Sequence, residues 1–208
     1  MSRLLLFIYS CINLNHFSFA AEDTFTIETG RLVIALSNGW ERLDQPVNFF
    51  VQKRARHAEQ GIALSAGSFR LDLTLEQYTA LGLAGMASGL IPAIEKLAKD
   101  VGIPKGEIEQ ALASKIGRQL TGSLKQASQS MKFELLKLTK RQVCGKAQFE
   151  ICSKAFVRQS GQTFFSRQFL LSGSTPREIV QITYASTSED IFTIKELVEA
   201  IHPQLNAK

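Results

Sequence analysis

The sequence predicts one α+β domain, with antiparallel strands at both ends of the chain and helices on the outside. Three observations predict it. Apolar runs that alternate or run continuously between turn residues fill the chain from Thr24 to Ala66 and again from Met131 to Ser186. Between these stretches, from Thr74 to Ser130, apolar residues recur at helical spacing. The connections among the C-terminal β candidates are short, which suits antiparallel hairpins and not parallel crossover units.

Each element follows from local chemistry. Thr24 to Glu28 alternates, with Phe25 and Ile27 on one face, and Arg31 to Leu36 is a Val/Ile/Leu run. Ser37-Asn38-Gly39 is turn chemistry and leads into Trp40, a residue expected to be buried. Val47 to Gln52 and Gly61 to Ala66 are two more short strands, separated by the basic stretch Lys53 to Gln60, read as a loop with His57 at the surface. Thr74-Leu75-Glu76-Gln77 has capping-box spacing and opens the first helix. Gln77 to Ile94 carries no charge and holds Gly82, Gly85 and Gly89, consistent with a buried, closely packed helix. Ile91, Ile94, Leu97, Ala98 and Val101 form the next apolar stripe, stopped at Gly102. Pro104 starts another, in which Ile108, Leu112, Ile116 and Leu120 fall every fourth residue toward Leu124. Strands are then expected at Met131 to Leu138, Gln148 to Gln159, Thr163 to Leu171 and Glu178 to Ser186. Ser188 is the expected N-cap of a last helix with Ile191, Ile194, Leu197, Val198 and Ile201 on its buried face, ended by Pro203.

The first twenty residues read as a signal peptide. Arg3 supplies the positive start, Leu4 to Ile12 the apolar core, and Ser18-Phe19-Ala20 the small residues of a cleavage site. The apolar run falls well short of the ~20 residues that span a bilayer. Cleavage after Ala20 leaves residues 21–208, one ordinary domain, exported to the periplasm or beyond.

Charge is unevenly placed. Residues 95–146 carry eleven Lys or Arg against five Asp or Glu, whereas the rest of the exported chain is slightly acidic. Lys105, Lys115, Arg118 and Lys125 are the candidate surface for an anionic partner, a protein or an anionic envelope component. No block of like charges and no nucleic-acid motif points to DNA or RNA.

Two cysteines survive removal of the leader, Cys144 and Cys152, a candidate disulfide in an oxidising compartment. A two-residue turn at Gly145-Lys146 would hold them too far apart, and a wider loop would allow the bond, so spacing leaves the pairing open. Two cysteines without a histidine pair do not make a structural zinc site. Ala63-Leu64-Ser65-Ala66-Gly67 resembles a nucleophile elbow lacking its first glycine, with His202 as the downstream histidine and Asp190 as an acid. The chain lacks the alternating β-α units of that fold, so Ser65 reads as an ordinary strand serine. No phosphate loop, dinucleotide fingerprint or other cofactor motif occurs.

A family resemblance gathers these pieces. Phe25-Thr-Ile27, then Leu32-Val-Ile-Ala-Leu-Ser-Asn-Gly-Trp40, precede Leu75-Glu-Gln-Tyr78 opening a helix; Gln162 to Leu171, Ile179 to Ser186 and the closing amphipathic segment follow. In that order they resemble the PsbP/DcrB-like α/β/α sandwich superfamily over residues 24–90 and 131–203, with 91–130 as an insertion the sheet does not need. The resemblance implies an antiparallel sheet flanked by helices, extracytoplasmic use, and protein binding in place of catalysis; it supplies no catalytic residues. The expected function is therefore a non-enzymatic binding or accessory protein. Two other readings stand beside it: an envelope- or membrane-associated interaction protein acting through residues 77–125, and a serine hydrolase using Ser65.

Overall fold

Long β-branched and aromatic runs bounded by Gly, Ser and Pro build two antiparallel sheets. The computed structural model describes residues 26–29, 32–43, 51–86, 99, 102–143, 146–175 and 177–203. A small sheet has the order β1-β2-β10, with β1 at Thr26–Thr29, β2 at Leu32–Ala35 and β10 at Ile201–Pro203. The large sheet has the order β3-β4-β5-β9-β8-β7-β6. Its strands are β3 (Trp40–Arg42), β4 (Lys53–His57), β5 (Ile62–Arg70), β6 (Met131–Val143), β7 (Lys146–Val157), β8 (Gln162–Ser172) and β9 (Glu178–Ser186). Every pairing is antiparallel, and β6 to β9 follow one another as hairpin neighbours, as short connections require. The result is an α+β sandwich, an antiparallel sheet flanked by helices with an added helical insertion.

Both faces of the large sheet are covered. On one face Leu64, Phe169, Ile182 and Tyr184 pack against Ile34 of the small sheet, Leu36 just after it, Trp40, and Ile191 and Leu197 near the C-terminus. On the other face Phe69, Phe149, Leu170 and Ile179 pack under α1 (Leu75–Met86) and α2 (Lys105–Ala113). A third helix, α3 (Lys115–Ser130), runs directly into β6. Within the insertion, Ile103, Ile108 and Ala111 are buried, so this segment is packed on the helical face of the core.

The capping box forms as its spacing predicts. The Gln77 amide donates to Thr74 Oγ1 at 3.1 Å, and the Thr74 amide donates to Gln77 Oε1 at 2.9 Å. Three expectations differ. First, the basic stretch after Gln52 is not a loop: Lys53–His57 is β4, with Arg54 and His57 buried. Its charges find partners instead of water, as Arg56 pairs with Glu41 at 2.7 Å and the His57 ring meets Trp40 edge-on at 5.5 Å. Second, the stripe from Ile108 to Leu120 is broken. Ser114 adopts extended backbone with ψ 158° and accepts from the Gly117 amide at 2.9 Å, so it ends α2 and starts α3. Third, the C-terminal segment is not one helix. Ser188 caps a 3₁₀ turn, Glu189–Phe192; α4 follows at Glu196–Glu199, and the chain then joins the small sheet as β10. The leader with its cleavage site, the strand residues 47–50 and the helix expected from 91 to 98 lie outside the described residues.

Two substitutions test this packing. Trp40 is 8% exposed and stacks edge-on with both His57 and Tyr184. Trp40→Ala lowers stability by ~3–5 kcal/mol in chemical denaturation. At Gly117 an added Cβ would overlap the Ala111 carbonyl, whereas at Gly122 it would meet nothing within 4 Å. Gly117→Ala therefore destabilises by ~1–3 kcal/mol, while Gly122→Ala, on the same helix, is neutral or stabilising by up to ~1 kcal/mol.

Candidate functional site

The residues of the hydrolase reading do not come together. Ser65 pairs Thr183 in register, in the middle of β5, and points to the helical side, opposite to Leu64 and Ala66. His202 belongs to β10, whose sheet covers the other face. Asp190 is exposed and occupied with Ser188, whose hydroxyl donates to its carboxylate at 2.8 Å. Ser65 instead lies in a stripe of polar side chains under the helices, a feature that sequence reading missed. There Tyr78 Oη donates to Gln181 Oε1 at 2.9 Å, the Gln181 amide donates to Thr183 Oγ1 at 3.3 Å, and Ser153 and Ser166 share a bond of 2.8 Å. Burial pushes the Tyr78 hydroxyl well above the usual tyrosine range, so it stays a donor. Among the described residues no group of three or more His, Cys, Asp or Glu could hold a metal ion.

On the opposite face sits a buried charge cluster that the sequence also hid. Glu150 on β7 is 2% exposed and accepts from Arg167 Nε at 2.9 Å and from Arg141 Nη2 at 2.5 Å. Arg167 is itself buried among Phe164 to Leu171, the one charge in an otherwise apolar and polar strand. Its Nη1 reaches the carbonyls of Ile194 at 2.9 Å and Ile191 at 3.4 Å, and its guanidinium lies 5.3 Å over the Phe169 ring. Those carbonyls would be acceptors in a continuous helix, which is the physical reason the C-terminal helix is broken here. Tyr184 adds a buried bond to Leu197 O at 3.0 Å. Burial raises the Tyr184 hydroxyl, and nearby Arg167 opposes that only in part.

Cys152 is register partner of Arg167 and Lys137 and carries a free, buried thiol. Burial pushes that thiol up, and neighbouring Glu150 pushes it further. Cys144, its candidate disulfide partner, lies outside the described residues.

A second built cluster closes the β8–β9 turn. Glu178 accepts from Ser68 Oγ at 2.7 Å, from the Ser174 amide and hydroxyl at 2.8 Å, and from the Thr175 amide at 3.0 Å. Burial alone would raise this carboxyl; the hydrogen bonds overcome it and hold the group down at about 2.

The four candidate cations fall on the insertion. Lys105 is the first residue of α2, Lys115 the first of α3, and Arg118 lies in the first turn of α3, all exposed. Lys125 lies further along α3. Lys105 reaches Glu109 at 3.8 Å, with both side chains about two-thirds exposed, a pair that adds little stability. Arg118 donates to Ala113 O at 2.6 Å. The first turn of α3 holds no acidic residue. Cations there oppose the helix dipole, which favours negative charge at an N-terminus.

No family model matches the chain, and no curated protein matches it in sequence. Solved structures do. Cyanobacterial PsbP (CyanoP) from Synechocystis sp. PCC 6803 matches at 12% identity with a TM-score of 0.52, covering 91% of this chain and 98% of that one. The Ran-binding protein Mog1p of Saccharomyces cerevisiae matches at 12% identity and TM-score 0.47, over 88% of this chain and 97% of its own. LpqN, involved in cell envelope biogenesis of Mycobacterium tuberculosis, gives 9% identity and TM-score 0.37, over 87% and 91%. The chain therefore shares the fold of cyanobacterial PsbP over nearly its whole length, and the likeness is one of fold.

Two outcomes are expected. Glu150→Ala strands buried Arg167 without its carboxylate and costs ~3–5 kcal/mol, whereas replacing both Glu150 and Arg167 by Met restores much of that loss. The native carboxyl of Glu178 sits below its ordinary value of 4.5. Its contribution to stability is therefore complete above about pH 4.5 and is lost as pH falls toward about 2. Glu178→Gln flattens the acid limb of the stability–pH curve in that window, measured by urea midpoints at stepped pH.

Proposed function

We propose that this chain is a non-catalytic binding or accessory protein of the extracytoplasmic space. It engages an anionic partner, a protein face or an envelope component, through Lys105, Lys115, Arg118 and Lys125. The observation that carries the reading is the position of these cations. Lys105, Lys115 and Arg118 are exposed at the starts of α2 and α3, within the stretch 95–146 that carries eleven Lys or Arg against five Asp or Glu. The apolar stripe of the insertion is buried on the sheet through Ile103 and Ile108, so the segment is anchored while Lys105, Lys115 and Arg118 stay in water. The leader-like residues 1–20 support work outside the cytoplasm, and the resemblance of the sequence to the PsbP/DcrB-like superfamily implies binding in place of catalysis.

A membrane-surface role for residues 77–125 remains the second reading, favoured by the uncharged stretch from Gln77 to Ile94. Among the described residues no helix is long and apolar enough to cross a membrane.

The test is charge reversal of Lys105, Lys115, Arg118 and Lys125 to Glu in the exported chain. The wild type is retained on an immobilised polyglutamate matrix and elutes with salt, because screening acts over about 8–10 Å. The variant elutes at markedly lower salt with an unchanged unfolding midpoint. Equal elution of the two proteins shows that the basic face is only solvated surface. Flotation of the wild type with phosphatidylglycerol vesicles, but no retention on polyglutamate, moves the function to the membrane reading. Labelling of Ser65 by a fluorophosphonate probe overturns both.

A further inference from the structure

Strand β6 ends the large sheet, and no described strand pairs with its outer side. It is the longest strand, thirteen residues from Met131 to Val143. Its side chains alternate in character. Met131, Phe133, Leu135 and Leu138 face the helical side, while Lys132, Glu134, Lys137 and Arg141 face the other. On that second face Arg141 is matched by Glu150 and Glu134 by Lys154, at 2.5 and 3.0 Å. Lys132 and Lys137 are exposed and form the surplus positive charge.

Two large apolar side chains are exposed among the described residues, and both are here. Leu136, 38% exposed, is the extra residue at a bulge between Leu135 and Lys137, and Phe156, 41% exposed, is the register partner of Lys132. An exposed edge strand with apolar side chains is ordinarily a hazard, because its free backbone groups invite another strand. The lysines discriminate among the strands that accept that invitation. A second copy of β6 would bring Lys132 and Lys137 near like charges. A strand bearing carboxylates would be drawn to them.

We infer that the outer edge of β6, over Met131 to Lys137, receives an extended segment of a partner protein in which acidic and apolar residues alternate. Backbone bonds to the edge supply the affinity, carboxylates beside Lys132 and Lys137 select the register, and apolar side chains cover Phe133 and Leu135 on the other face. Leu136, at the bulge on the edge strand itself, lies where that strand lands. This site lies on a different element from the α2–α3 cations and goes beyond the function proposed for them.

The test uses the exported chain and three fluorescent peptides of about ten residues, the span of an edge strand. One alternates Glu and Val, one is the same peptide N-methylated at alternate amides, and one alternates Lys and Val. The Glu-Val peptide binds, and hydrogen exchange at amides 131–143 slows on binding. The N-methylated peptide keeps every charge but cannot complete the ladder, and it and the Lys-Val peptide do not bind. Lys132→Glu with Lys137→Glu weakens the Glu-Val peptide by about tenfold or more. Lys195→Glu, at an exposed lysine of the C-terminal segment, leaves its affinity unchanged. Equal binding of the N-methylated peptide, protection confined to α2–α3, or light scattering that shows a dimer lost on Leu136→Lys would each overturn strand addition by an acidic partner.

Discussion

Glu150 and Arg167 are the pair on which the two layers of this protein depend. A carboxylate and a guanidinium buried in a sheet are costly unless every donor and acceptor is matched. Here the matching extends beyond the pair. Arg167 reaches out of the sheet to Ile191 O and Ile194 O, and Tyr184 does the same for Leu197 O. Three carbonyls of one C-terminal segment are thus held by two side chains rooted in β8 and β9. That segment continues into β10, which pairs with β2, and the Ala35 amide donates to Ala200 O at 3.0 Å. The small sheet is tied to the large one through these bonds as well as through the apolar contacts of Ile34, Leu36 and Leu197.

Covering both faces fixes what is left for solvent and partners. The helical layer buries the polar stripe around Gln181 and Thr183, in which Ser65 is the register partner of Thr183. The small sheet and the C-terminal turns cover the other face over β5, β9 and β8, and Phe192 meets Phe165 edge-on at 5.9 Å. Solvent-facing chemistry is left to the cations that start α2 and α3 and to the edge at β6 and β7. The α2–α3 cations and β6 belong to the stretch of the chain with the positive surplus. That concentration of charge is the physical basis of the proposed binding function.

Much of the sheet was legible in the sequence. The C-terminal strands alternate clearly, their turns carry Gly and Ser, and the capping box at Thr74 is a local motif that needs no tertiary context. The misreadings share one cause: tertiary contacts decided against local pattern. Lys53 to His57 looks like a solvated loop because it is basic, yet Glu41 and Trp40 supply the partners that make it a strand. The last amphipathic stripe looks like one helix because Ile191, Ile194 and Leu197 have helical spacing. Arg167, far away in sequence, takes the carbonyls that would continue it. The buried charge and the polar stripe were hidden for a related reason. Alternation marks a buried face only when the other face is wet, and this sheet has two covered faces. The cations of the insertion were visible as residues, but their place in the first turns of two separate helices was not, because the break at Ser114 leaves no interruption in the apolar stripe.

The most direct measurement is native-state hydrogen exchange on Arg167→Leu, which keeps the volume over Phe169 and leaves Glu150 its bond from Arg141. If Arg167 holds the layers together, protection falls first at the Ala35 amide and across the C-terminal segment, while β5, β8 and β9 keep theirs. Unchanged protection at Ala35, or a uniform loss over both sheets, would contradict that role and leave the apolar contacts alone to join the layers.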